Sequence, residues 1–135
     1  MMTEKEIHDI CKKYYIRNYK INPDGSIDVL GNVGLSSNEL TELPLKFNII
    51  EGFFLCNDNK LTSLKNFPIS VYGIYCSNNK LTSLEGCPKD IGMSFVCFNN
   101  PLESLEGYDG EYHKIFCTNK KKLIRKEKIR IINNI

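Results

Sequence analysis

The centre of the chain repeats with a step of 20–21 residues, and few folds are open to a chain written that way. Leu35-Ser-Ser-Asn38-Glu-Leu40, Cys56-Asn-Asp-Asn59-Lys-Leu61, Cys76-Ser-Asn-Asn79-Lys-Leu81 and Cys97-Phe-Asn-Asn100-Pro-Leu102 share one pattern, and Cys117 continues the series of lead positions. Each copy adds a second leucine three positions past the first (Leu43, Leu64, Leu84, Leu105). Each also places an apolar residue two positions before its lead residue (Val33, Phe54, Ile74, Phe95, Ile115). A fixed period of this length marks a solenoid, in which copies stack because none can bury its own apolar face.

Within a copy, the alternation of Phe54, Leu55 and Cys56 is that of a short strand with its even members turned inward. The asparagine turns the chain out of that strand. Its amide suits the backbone groups that a buried bend leaves without partners. Stacking is expected to align Asn38, Asn59, Asn79 and Asn100 as a ladder, with leucines such as Leu81 and Leu84 filling the interior behind it. Asn57, on the outward side, is expected to carry little. Pro44, Pro68 and Pro88 each precede an apolar residue by three positions (Phe47, Val71, Ile91). Proline there favours an extended, polyproline-like return over a helix. In the last copy Asp109 stands in proline's place and Tyr112 becomes the expected inward residue, so the solenoid is expected to end nearby.

Both ends read as caps. Thr3 and Glu6 form a capping box, and Ile7, Ile10, Cys11 and Tyr14 follow at helical spacing. Asn22-Pro23-Asp24-Gly25 is a turn, and Ser26-Ile27-Asp28-Val29 alternates as a strand does. At the other end a helix is expected from Lys122 to Ile132, with Leu123, Ile124, Ile129 and Ile132 covering the last coil. The pattern L-x-L-x-x-N-x-L at this period is that of the leucine-rich repeat. The expected fold is therefore a mainly β solenoid of short parallel strands in a single domain, 1–135. A helix and hairpin occupy 1–31, the repeats 32–117, and a basic helix 118–135.

The motifs Asn22-Pro-Asp-Gly-Ser-Ile-Asp-Val29, Cys56 to Leu64, Cys76 to Leu84 and Asn100-Pro-Leu-Glu-Ser-Leu-Glu-Gly107 resemble the small leucine-rich-repeat proteins of large tailed bacteriophages. The likeness covers nearly the whole chain. The Leu-x-x-Leu…Pro-x-x-Ile spacing is also similar to the short bacterial repeats of secreted effectors, which often add a catalytic domain that this chain has no residues left to build. The resemblance implies the fold and a host-cytoplasmic setting. It implies no activity.

With 41% hydrophobic and 25% charged residues the chain can form a packed core. Residues 118–135 carry seven Lys and Arg against Glu127, or +6, so the total of +2 leaves −4 on the remainder. The polar, acidic start Met1-Met2-Thr3-Glu4-Lys5-Glu6 has no signal-peptide core behind it, and no apolar run approaches a bilayer span of roughly 20 residues. The expectation is a soluble chain in a reducing cytoplasm, with no membrane partner and with its six cysteines packed as small apolar side chains. Cys56, Cys76, Cys97 and Cys117 lie on successive rungs, without the tight pairs of zinc sites, and disulfide geometry between adjacent parallel strands is poor. No metal or other cofactor is expected. Of the two histidines, His8 falls in the first helix. Alternation places His113 on the same inward side as Cys117, a coil edge and not a catalytic dyad. With no phosphate-binding glycine loop either, the chain reads as a non-enzyme.

The outward strand positions are the candidate site. Leu55, Tyr75, Val96 and Phe116 form one column, with Phe53 and Phe98 beside it, on what is expected to be the concave face. Contiguous exposed apolar surface there points to a protein partner, a host or viral protein. A second reading gives Lys120, Lys121, Lys122, Arg125 and Lys126 to nucleic-acid phosphates. A third gives the apolar face to a homodimer in a self-assembling module.

Overall fold

In the computed structural model, which describes residues 1–135, the chain is a β-solenoid with a helix at each end. Helix α1 (Glu4–Lys13) opens with the expected capping box, in which the Thr3 hydroxyl accepts from the Glu6 N–H and the Glu6 carboxylate accepts from the Thr3 N–H. Strands β1 (Tyr19–Ile21) and β2 (Ile27–Val29) form an antiparallel hairpin, and every later strand joins in parallel. These are β3 (Val33–Gly34), β4 (Phe47–Leu55), β5 (Ser70–Tyr75), β6 (Asp90–Ile91), β7 (Phe95–Cys97) and β8 (Ile115–Cys117). Helix α2 (Lys120–Asn133) closes the chain.

The strands stack in two columns that meet at a corner. β2, the start of β4, the start of β5 and β6 make one column. β3, the ends of β4 and β5, β7 and β8 make the other. The segment after each proline is therefore hydrogen-bonded parallel strand and not free polyproline backbone: Ile50 pairs with Val71 and Val71 with Ile91. The register slips between Ile50 and Phe53, where β4 turns the corner.

The interior follows the repeat. Val33, Phe54, Ile74, Phe95 and Ile115 form one fully buried row, and Leu35, Cys56, Cys76, Cys97 and Cys117 the next. The leucine rows lie behind them. Phe67 and Tyr108 make a further row, with Cys87 partly buried in it. Phe67 packs on Phe54 at 5.2 Å with the rings tilted, and Tyr108 lies edge-on to Phe95 at 6.5 Å. In the last copy Tyr108 is thus the buried aromatic, its hydroxyl donating to the Glu111 carbonyl at 2.5 Å, whereas Tyr112 is only half-buried. The reason is local. Without proline, Tyr112–Lys114 winds into a 3₁₀ turn and the alternation expected there is lost. His113 is consequently exposed beside Glu111 at 3.3 Å, not turned inward.

The asparagine ladder forms from the second rung onward. Asn59 Nδ2 donates to Leu35 O on the rung before (2.9 Å) and to Cys56 O on its own (3.1 Å), while its Oδ1 accepts from Asn38 N and Leu40 N. Asn79 bonds Cys56 O and Cys76 O and accepts from Leu61 N. Asn100 bonds Cys76 O and Cys97 O and accepts from Leu81 N. Asn38 was expected in this row but is exposed, because no earlier rung offers it a carbonyl. Just before each ladder position stands a left-handed residue, in turn Ser37, Asp58, Asn78, Asn99 and Asn119. Asn and Asp tolerate that conformation better than most side chains.

The C-terminal helix departs most from expectation. It starts two residues early, directly after left-handed Asn119, with Lys120 in the ladder asparagine's place. Leu123 is buried and Ile124 packs against the core, but Ile129 and Ile132 are 53% and 64% exposed and cover nothing. Their place is taken by Glu127, buried with its carboxylate held by Arg130 at 2.5 Å.

Two tests follow from these contacts. Asn79→Ala should lose about 1–3 kcal/mol in chemical denaturation, since it leaves the buried Leu61 N–H without an acceptor and takes one of two amide donors from Cys56 O and from Cys76 O. Asn57 is not idle either: its Oδ1 accepts the Ser77 N–H at 2.7 Å, so Asn57→Ala should cost measurably but less, because water can reach that half-exposed site. Equal midpoints for the two would remove the ladder's primacy. Gly86 and Gly107 both have positive φ, +88° and +100°. A side chain at Gly107 would run into the Leu84 backbone, while one at Gly86 would meet Leu64 O at a tight 3.3 Å. Gly107→Ala should therefore be destabilised more than Gly86→Ala, the former by about 1–3 kcal/mol.

Candidate functional site

Parallel pairing fixes the outward column in register. Leu55 pairs with Tyr75, Tyr75 with Val96 and Val96 with Phe116, so four side chains line up across successive rungs. Leu55 and Phe116 are exposed, and Tyr75 and Val96 half-buried. Phe53 extends the surface sideways. It pairs with Gly73, and because Gly73 has no side chain the Phe53 ring lies across that rung, where an added Cβ would stand 2.9 Å from it. There Phe53 meets Tyr72 edge-on at 5.2 Å and Tyr75 at 5.9 Å. At the far end the Lys120 ammonium sits 4.8 Å over the Phe116 ring, an arrangement that favours a cation.

All six sequence-predicted face residues, Phe53, Leu55, Tyr75, Val96, Phe98 and Phe116, lie on the outward side of this sheet. Phe98 stands at its edge, 45% exposed. Two exposed neighbours were not foreseen, Tyr72 and Met93. Counting back from Tyr75 by twos passes over Tyr72, which instead directly follows the inward Val71 of the other strand column.

A polar row borders the column. Asn57 accepts from Ser77 N at 2.7 Å, Ser77 Oγ accepts from Phe98 N at 3.1 Å, and Thr118 Oγ1 accepts from Asn99 N at 2.9 Å. Outside it, Asn78 donates to Asp58 at 2.9 Å and Asn99 to Asn78 at 2.8 Å. These groups satisfy one another, which holds the surface in one shape. Leu55, Tyr75, Val96 and Phe53 carry no charge, and the charges nearest the column are Asp58 in the outer polar row and Lys120 over Phe116. The surface is mainly apolar and aromatic.

The basic segment is divided in its engagements. Lys120 is over Phe116 and Lys126 donates to Glu103 O at 2.7 Å, while Lys121, Lys122 and Arg125 are exposed. A separate groove of about 520 Å³ runs along the hairpin side, lined by Tyr19, Leu30 and Ile49 with Lys20, Asp28 and Glu51, the Lys20–Asp28 pair standing at 3.7 Å. His8 Nδ1 contacts the Tyr19 hydroxyl near that end. No three His, Cys, Asp or Glu side chains gather as a metal site would need.

All six cysteines are free thiols, and Cys97 pairs in register with Cys117. Burial pushes the Cys76 thiol well up, with the neighbouring sulfurs adding to it. Burial also pushes Cys87 up to about 12, helped by Asp109. Within the Cys97–Cys117 pair the hydrogen bond between the sulfurs raises Cys97 and lowers Cys117, which also feels Lys120. Compared with protein-family models, characterised proteins and solved structures, the chain matches none.

The thiols give a test. Denatured protein should titrate six thiols, and in the native protein Cys117 should react first while Cys56, Cys76 and Cys97 lag. A raised thiol pKa means that folding favours the protonated form. Its contribution is intact below the ordinary value of 9.0 and is lost as pH rises toward about 12. Melting temperature should therefore fall across that window, and a melting temperature that stays level there would contradict these shifts.

Proposed function

We propose that this chain is a leucine-rich-repeat protein that acts as a non-catalytic binding module, using the outward strand face to hold another protein. One observation carries the reading: the aligned apolar column of Leu55, Tyr75, Val96 and Phe116, with Phe53 locked beside it over Gly73. Rigid aromatic side chains on a fixed scaffold lose little entropy on binding and tend to dominate interface energy. The likeness to small phage leucine-rich-repeat proteins makes a host protein in the bacterial cytoplasm the natural partner, with modulation of that protein as the role.

Lys120, over Phe116, is the one cation that reaches the aligned column, which argues against nucleic acid as its ligand, since phosphate recognition rests on clustered Lys and Arg. Such an interaction would have to use Lys121, Lys122 and Arg125 instead. The two readings separate by mutation. Leu55→Ser with Phe116→Ser should leave the melting temperature nearly unchanged, because both side chains face out. Tyr75→Ser should lower stability modestly, by about 0.5–1.5 kcal/mol, through its lost aromatic contact. A partner isolated from host lysate and then purified should bind wild type and lose at least about 2 kcal/mol of affinity to the Leu55/Phe116 variant. Undiminished affinity in that variant, with loss on neutralising Lys121, Lys122 and Arg125, would overturn the proposal.

A further inference from the structure

Helix α2 is attached to the solenoid by one side only. Leu123 and Glu127 are its buried residues, and Glu127 has its charge matched within the helix by Arg130, at 3.1 Å from Nε and 2.5 Å from Nη2. About half a turn round the axis from that docked side, 3.6 residues to the turn, lie Lys121, Lys122, Arg125, Ile129 and Ile132. All five are exposed, and no acidic residue stands among them. Ile131 and Ile135 are exposed as well, so the last turns present isoleucine with nothing of this chain to cover it.

Three cations in the first turns, followed along the same side by two isoleucines in the last, define what would fit. A nucleic acid would meet the lysines but leave the isoleucines in water. A second copy of the same helix would bring a like charge of +6 against this one. An anionic phospholipid surface meets both demands, with phosphate at the level of the cations and acyl chain beneath. We infer that the solvent-facing side of α2 docks on anionic membrane surfaces, with Ile129 and Ile132 entering the boundary between headgroups and acyl chains and Lys121, Lys122 and Arg125 meeting phosphate. The solenoid, attached to the opposite side, stays clear of the lipid and keeps its outward face open. No helix is long and apolar enough to cross a membrane, and an interfacial helix does not need to be. The site is separate from the outward sheet face and does not depend on what that face binds.

The test is co-sedimentation of the full chain with phosphatidylcholine vesicles and with mixed phosphatidylcholine–phosphatidylserine vesicles. Binding to the mixed vesicles should exceed binding to phosphatidylcholine alone by about tenfold or more and should weaken as salt is raised. Ile129→Ser with Ile132→Ser should cut it at least about tenfold at an unchanged melting temperature, since both side chains are already in water. Leu55→Ser with Phe116→Ser should bind vesicles as wild type does. Failure to bind mixed vesicles would overturn the inference. So would undiminished binding by the isoleucine variant, which would reduce the effect to charge alone. A lipid-free dimer in sedimentation velocity that the isoleucine variant abolishes would assign the stripe to a second copy and overturn it too.

Discussion

The amide of the ladder asparagine joins each rung to the one before it. Asn59, Asn79 and Asn100 each donate from Nδ2 to carbonyls on two successive rungs and accept through Oδ1 from a backbone N–H on the earlier one. Only a short amide can do both, because a carboxylate has no donor and a hydroxyl has one. Buried 7–8% exposed, these groups have no water to fall back on, so a missing partner on either side carries its full desolvation cost. Once rungs are held at that spacing, the in-register strands, the cysteine row and the outward column follow from it.

The same interaction explains why the solenoid stops. Each ladder residue needs a rung on its N-terminal side, so Asn38 is left exposed at the beginning. At the other end left-handed Asn119 repeats the turn that Asp58, Asn78 and Asn99 make, but Lys120 follows where an amide belongs. A lysine cannot accept, and the chain enters a helix instead. Because that helix leaves the last coil after one docked side, its far side and final turns emerge with uncovered isoleucine.

The outward face depends on the corner between the two strand columns. Gly52 N bonds Gly31 O and Phe53 N bonds Asn32 Oδ1, so the bend is pinned to the rung before it. Beside the register slip Phe53 and Tyr72 meet edge-on on one surface, and Gly73 gives the Phe53 ring its bed. An outward face rich in aromatic side chains thus arises at the corner as well as from strand alternation.

The period of 20–21 residues determined the rungs, and with them the inward rows, the cysteine row and the outward positions of the six face residues, while local capping and turn signals determined the first helix and the hairpin. These were legible because each depends on alternation or on contacts between residues close in sequence, which spacing encodes directly. Tertiary structure decided what depends on neighbours: that Asn38 lacks a partner, that Asn57 bonds the next rung, that Tyr108 and not Tyr112 enters the core, and that Tyr72 joins the face. It also decided the outcome in the basic segment, where Ile129 and Ile132 read as core by their apolarity. Hydrophobic spacing says which residues could be covered, but coverage needs a surface opposite. The last coil presents one only as far as Glu127, so geometry, not composition, left the remaining isoleucines in water.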